Sequence, residues 1–247
     1  MAPLPRWPYP RLCAHRGAGK LAPENTLAAL RLGLSYGYRM AEVDVRLSAD
    51  GIGFLLHDAT LDRTTNGRGR ADAFTFGNLA LLDAGSWHSA AFAGEPVASL
   101  TNVARWCIGS SVALNIEIKP TPGRERETGA AIALDAQNLW DGVELKPLLS
   151  SFSEAALDAA RDAVPDLPRA LLLEELSSDW LERATALECI ALDLRHTLVT
   201  AALVEQVNRA GLRIATWTVN ELQRVAELLA WGVDTIITDA VDVVVVR

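Results

Sequence analysis

The chain has no surplus of basic residues. Its 23 lysines and arginines face 31 aspartates and glutamates, a formal net charge of −8 with a pI near 5.1. Nucleic-acid footprints are basic, so this balance excludes nucleic acid as the main partner. Paired cysteines are missing too. Cys13, Cys107 and Cys189 are odd in number and far apart, with no CxxC spacing. That argues against both a disulfide framework and a zinc site, and leaves small buried apolar side chains. No apolar stretch approaches bilayer length, and the proline-rich start, MAPLPRWPYPRL, has no continuous apolar run of the secretory type. A cytoplasmic protein without membrane contact is the expectation. Also absent are internal repeats, low-complexity segments and any GxGxxG or Walker turn opening a helix, and the last of these weighs against a doubly wound nucleotide-binding sheet.

What is there is a long apolar chain. Half of the 247 residues are hydrophobic, enough for the core of one large α/β domain spanning 1–247. Residues 1–10 read as a loop under a barrel floor. A short strand then ends at His15-Arg16-Gly17, and LAALRLGLSYG has helical spacing, with Asn25 or Thr26 as its cap and Gly37 as its stop. The strand Met40–Leu47 follows. Further strands are expected at 112–118, 148–152, 169–173, 189–194, 213–219 and 235–238, with helices between them at 128–139, 154–164, 178–187, 200–210 and 222–231. A helix over 99–109 precedes the third strand. Eight strands in strict alternation with helices point to a TIM-type (β/α)8 barrel. Residues 59–98, rich in Gly, Asp, Ser and Arg, form an irregular polar insertion at its C-terminal rim.

The centre of this pattern is MAEVDVRLSADGIGFLLHD, residues 40–58. Strand side chains alternate, so Glu42 and Asp44 share one face and Val43 and Val45 the other. Two buried like charges repel, and a cation must stand between them. Asp50-Gly51 is a hairpin signal; with these two as the central turn residues, Asp44 comes to lie opposite His57.

Barrel chemistry collects at the C-terminal strand ends. Those ends carry His15 and Arg16, Glu42 and Asp44, Glu117 and Lys119, Ser151, Trp217 and Asp239, and the hairpin returns His57 to the same rim. On the third strand Asn115, Glu117 and Lys119 share a face. Glu42, Asp44 and Glu117 are a hard, all-oxygen set suited to Mg²⁺ or Ca²⁺. His15 and His57 suit a general acid and a general base. Cations such as Arg16 and Lys119 beside a metal make sense if the ligand is a phosphate. Trp217 divides between core and substrate contact, Asp239 reads as a cap or loop anchor, and His88 and His196 as structural histidines.

Taken together, AHRGAGKLAPENTLAAL, EVDVRLSADG, LLHDATLDRTTNG, DAGSW and NIEIKP, with the later SSF, WTVN and GVDTIITD, resemble the glycerophosphodiester phosphodiesterases, and most of all their short cytosolic bacterial members. The resemblance runs from about Leu12 to about Asp242. It departs at Ala240, where many relatives have proline. It implies a (β/α)8 barrel with a divalent metal, Mg²⁺ or Ca²⁺, on Glu42, Asp44 and Glu117. It also implies an acid–base pair on His15 and His57, and phosphate contacts on Arg16 and Lys119. The implied reaction is hydrolysis of a small-molecule glycerophosphodiester to glycerol 3-phosphate and an alcohol. His15 is expected to take the proton of the nucleophile and His57 to protonate the leaving alcohol. The nucleophile is either the substrate's own 2-hydroxyl or a water. A rival reading is a lysophospholipase-D-like or sphingomyelinase-D-like barrel acting on lipids. The polar composition of 59–98 favours small soluble diesters. A non-catalytic phosphate sensor is the other rival. Oligomeric state is not legible.

Overall fold

Runs such as RALLL and TIIT are short and carry apolar side chains on both faces. Strands sandwiched between a barrel interior and an outer helical layer have this composition. In the computed structural model, which describes residues 4–245, eight such strands close into a parallel barrel. They are β1 (Leu12–Ala14), β2 (Met40–Leu47), β4 (Ala113–Ile118), β5 (Leu148–Ser151), β6 (Arg169–Leu173), β7 (Ala191–Arg195), β8 (Arg213–Trp217) and β9 (Thr235–Thr238). Each pairs in parallel with its neighbours, and β1 closes the ring against both β9 and β2. β3 (Gly53–Leu55) pairs antiparallel with β2.

The helices are α1 (Leu27–Ser35), α2 (Phe76–Leu79), α3 (Leu100–Gly109), α4 (Glu125–Leu139), α5 (Glu154–Ala163), α6 (Trp180–Ala186), α7 (Ala201–Arg209) and α8 (Leu222–Trp231). Four start the same way: the hydroxyls of Thr26, Ser99, Ser153 and Thr200 accept a hydrogen bond from the backbone N–H three residues on. Each satisfies one of the donors a helix N-terminus leaves open.

Inside the barrel, alternation stacks the side chains in layers. Cys13, Met40, Ala113, Leu148, Ala170, Ala191 and Ile237 form an apolar floor with Tyr9. Two residues further along their strands, Glu42, Asn115, Ser150 and Asp193 are buried and polar, with Glu42 paired to Asn115 in register. Asp44 and Glu117, also in register, lie nearer the mouth. The described part of the N-terminal segment does cover the floor: Trp7 Nε1 donates to Thr235 Oγ1 at 3.0 Å and the Tyr9 hydroxyl to the Lys146 carbonyl at 3.1 Å. Residues 1–3 of that expected loop lie outside the described residues.

The hairpin register differs from expectation by one residue. The pairs are Val45–Leu55, Arg46–Phe54 and Leu47–Gly53, so Leu56, not His57, stands across from Asp44, its N–H donating to the Asp44 carbonyl at 3.1 Å. The turn is longer than Asp50-Gly51 alone. The Ser48 N–H closes it on the Ile52 carbonyl, and the Ser48 hydroxyl bonds Asp50 and the Ile52 N–H. Residues 59–98 include α2 and two short 3-10 turns, and their Leu61, Ala71, Leu79, Ala84 and Val97 form a small apolar cluster with Phe54 and Leu56. No helix among the described residues is long and apolar enough to cross a membrane.

Candidate active site

A cavity of about 120 Å³ opens at the C-terminal mouth of the barrel, and His15, Arg16, Glu42, His57, Glu117, Lys119 and Trp217 all line it. The ends of β1, β2, β4 and β8 and the segment after β3 therefore deliver the expected side chains to one place. Asp44 is buried just behind them, 1 % exposed. Glu42, Asp44 and Glu117 each offer an oxygen within 4.8 Å of the others.

Three carboxylates meet two cations here. Lys119 Nζ lies 2.9 Å from Glu117 Oε1 and 3.6 Å from Asp44 Oδ1. Arg16 Nε lies 3.5 Å from Asp44 Oδ2, while its Nη1 donates to Glu24 Oε1 at 2.8 Å. The backbone at Arg16 is left-handed, φ 52°, and its N–H donates to Glu42 Oε2 at 3.0 Å. Burial, with Asp44 and Glu117 alongside, pushes the Glu42 carboxyl well above the usual carboxylate range. Burial raises Glu117 as well, against the pull of Lys119. Asp44 goes the other way. Burial would raise it, but Arg16, Lys119 and His57 outweigh that and hold it low. Glu42 Oε1 has no partner among the described residues. An orphaned buried carboxylate oxygen facing two more carboxylates fits a hard divalent cation.

Both histidines are held at Nδ1. His15 Nδ1 meets Asp239 Oδ1 at 2.7 Å, and His57 Nδ1 meets Asp58 Oδ1 at 2.8 Å. Each Nε2 is thereby left for other work, and that of His15 stands 3.8 Å from Glu42 Oε2. Burial lowers the His57 pKa, with Arg16 adding to the effect and Asp44 opposing it. The His57 backbone is pinned as well: Arg46 Nη2 donates to its carbonyl at 2.7 Å. Trp217 resolves as both core and cleft wall. It is half-buried, donates Nε1 to the Asp193 carbonyl at 3.4 Å, and meets Phe152 edge-on with ring centroids 5.5 Å apart.

Sequence reasoning missed several residues. Asp239 is more than a cap or loop anchor, since it holds His15. The signal was barrel closure, because β1–β9 register puts Ala14 beside Thr238 and so the next residues side by side. Thr26 takes the cap of α1, which frees Asn25. Asn25 sits at φ 60° and clamps Asp44 twice, at 2.8 Å to its carboxylate and 3.0 Å from its N–H. Arg63, from the rim insertion, bridges Asp58 and Glu24 and so links the surroundings of His57 and Arg16. Ser151 is corrected: its hydroxyl donates to the Ile118 carbonyl at 2.7 Å, and Ser150 faces the cavity instead. Neither His88 nor His196 lines the cavity.

Known proteins match the chain along nearly its whole length. Residues 15–243 match the Glycerophosphoryl diester phosphodiesterase family. A glycerophosphodiester phosphodiesterase of Caldanaerobacter subterraneus subsp. tengcongensis is 34% identical over 231 residues, covering 92% of this chain and 92% of that protein. One from Bacillus subtilis is 28% identical over 247 residues, covering 93% and 83%. Among solved structures, an Oleispira antarctica phosphodiesterase in complex with the product sn-glycerol-3-phosphate superposes with a TM-score of 0.88 at 33% identity, over 94% of each chain. A glycerophosphodiester phosphodiesterase from Agrobacterium tumefaciens gives 0.81 at 29% identity, over 94% of this chain and 97% of that one. A closed barrel with two histidines, three acids and two cations at its mouth, matched along nearly its whole length, places the chain in the glycerophosphoryl diester phosphodiesterase family, as a phosphoric diester hydrolase.

Proposed function

We propose that this chain hydrolyses glycerophosphodiesters such as glycerophosphocholine and glycerophosphoethanolamine to sn-glycerol 3-phosphate and the free alcohol, with His15 and His57 moving the protons and Glu42, Asp44 and Glu117 holding Mg²⁺ or Ca²⁺. The observation that carries the reading is that His15, His57, Glu42, Glu117, Arg16 and Lys119 line a single cavity. Glu42, Asp44 and Glu117 would hold a hard cation, which would offset negative charge on the phosphoryl oxygens. The chain's own residues do the rest. Arg16 and Lys119 add positive charge facing the phosphoryl group. His15, oriented by Asp239, accepts through Nε2 the proton of the attacking hydroxyl, which belongs either to the substrate's 2-carbon or to a water. As the bond from phosphorus to the leaving oxygen breaks, His57, oriented by Asp58, protonates that oxygen; where the 2-hydroxyl attacks, the product is a cyclic phosphate that a water then opens to sn-glycerol 3-phosphate. Trp217 and Phe152 form an apolar wall beside the reacting group. The reading is strengthened by the Oleispira antarctica relative, which was solved with sn-glycerol-3-phosphate as its product.

Phosphorus NMR of a glycerophosphocholine digest tests the bond cleaved. The proposal expects sn-glycerol 3-phosphate and choline. Phosphocholine and glycerol as products would overturn it.

A further inference from the structure

Level with Glu42, and deeper than Asp44 and Glu117, the cavity has a polar end that the reaction scheme does not use. Asn115, Ser150 and Asp193 line it and are 1 %, 0 % and 0 % exposed. Asn115 Oδ1, Ser150 Oγ and both Asp193 carboxyl oxygens are buried without a well-formed hydrogen bond among the described residues, the Asn115 side chain being the polar neighbour of Asp193. Native interiors leave few buried polar atoms unpaired, because each such group forfeits the hydrogen bonds it had in water. Here four atoms from β4, β5 and β7 do so at one end of the cavity, above a floor of Ala113, Ala170 and Ala191. The small alanines keep the space open, and the polar groups facing it make it a hydrogen-bonding space. No cation among the described residues pairs with Asp193.

We propose that Asn115, Ser150 and Asp193 form an inner subsite that takes an uncharged hydroxyl of the substrate, the glycerol hydroxyl furthest from the phosphate. This rests on the hydrolysis proposed above. The phosphoryl group stays at the level of Arg16 and Lys119, near the mouth, and the alcohol to be released points outward past Phe152, which is 43 % exposed. Only the glycerol end then reaches inward. A hydroxyl donates once and also accepts, so it can donate to the Asn115 carbonyl oxygen or the Asp193 carboxyl while accepting from the Ser150 hydroxyl. An apolar or methyl-capped end would leave them unpaired, and sites built to bond a hydroxyl reject analogues without one far more strongly than apolar pockets reject an extra group. The subsite thus selects a polyol. A buried Asp193 carboxyl that keeps its proton is a donor for the same purpose, and burial does raise that group to about 8.

The test compares glycerophosphocholine with 2-hydroxypropyl phosphocholine. The analogue keeps the hydroxyl next to the phosphate and lacks only the terminal one. Wild type should favour glycerophosphocholine by about tenfold or more in kcat/KM, mostly through KM. D193L and S150A should each shrink that ratio several-fold by losing on glycerophosphocholine while holding on the analogue. Binding of sn-glycerol 3-phosphate, read by calorimetry, should weaken in D193L, and binding of inorganic phosphate should not. An unchanged ratio in folded D193L and S150A would overturn the subsite and leave the hydrolysis intact. So would a variant that shifts choline-versus-ethanolamine preference but not the hydroxyl preference. A wild type inactive on both diesters would instead remove the proposed substrate class.

Discussion

His57 and Asp193 are moved in opposite directions by one cause. Burial disfavours the charged form, which lowers an imidazole and raises a carboxyl. For His57 the result is an imidazolium that parts readily with its proton. Replacing either His57 or His15 with alanine should lower turnover by about two to four orders of magnitude. Circular dichroism and melting should stay near wild type, because neither ring belongs to the packed core. Near-normal turnover in either variant would remove its assigned role. For Asp193 the consequence is a pH-dependent stability. The folded protein keeps a proton up to about pH 8 that the unfolded chain releases above about pH 4. Its stabilising contribution is therefore complete below the lower value and is lost as pH rises through the higher one. In chelator, D193N should melt above wild type at pH 8, with the difference shrinking towards pH 5. A difference that does not vary with pH would show that Asp193 does not titrate in this way.

At the scale of elements, periodicity made most of this barrel legible. The spans Met40–Leu47, Arg169–Leu173, Leu222–Trp231 and Thr235–Thr238 coincide with their expected ends, because apolar runs bounded by turn residues carry their own limits. The hairpin turn was misread because the Ser48 side chain extends it, a contact that a turn dipeptide does not encode. Asp193 was passed over for another reason: strand ends were searched, and it sits two residues short of one. Asn25 and Arg63 act through segments remote in sequence from the groups they hold, so spacing could not reveal them. Packing between elements is also set by single residues. A Cβ at Gly129 on α4 would lie 2.0 Å from the Ala156 carbonyl oxygen on α5. Gly129→Val should cost about 1–3 kcal/mol by overpacking, read as a lower melting temperature. Turnover well below melting should be preserved, since the contact lies between outer helices. An unchanged melting temperature would mean that these helices separate freely.

Across the whole molecule the barrel gathers three acids and two cations at one end, where burial, together with the neighbouring carboxylates, raises Glu42 and Glu117. Metal binding must displace the protons these groups hold. Affinity should therefore rise with pH. Calorimetry in two buffers of different ionisation enthalpy should show proton release on binding, and heats that do not depend on the buffer would contradict it. Glu117→Gln should weaken the metal titration, and an unchanged midpoint would remove Glu117 from the set. All of this turns on one claim, that a cation on these carboxylates works with the two histidines on a glycerophosphodiester. The most direct measurement is sn-glycerol 3-phosphate release from glycerophosphocholine, first in chelator and then with Mg²⁺ or Ca²⁺ restored. The account predicts release that chelator abolishes and one of the two ions rescues. Release that continues unchanged in chelator, or none with either ion from folded protein, would contradict it.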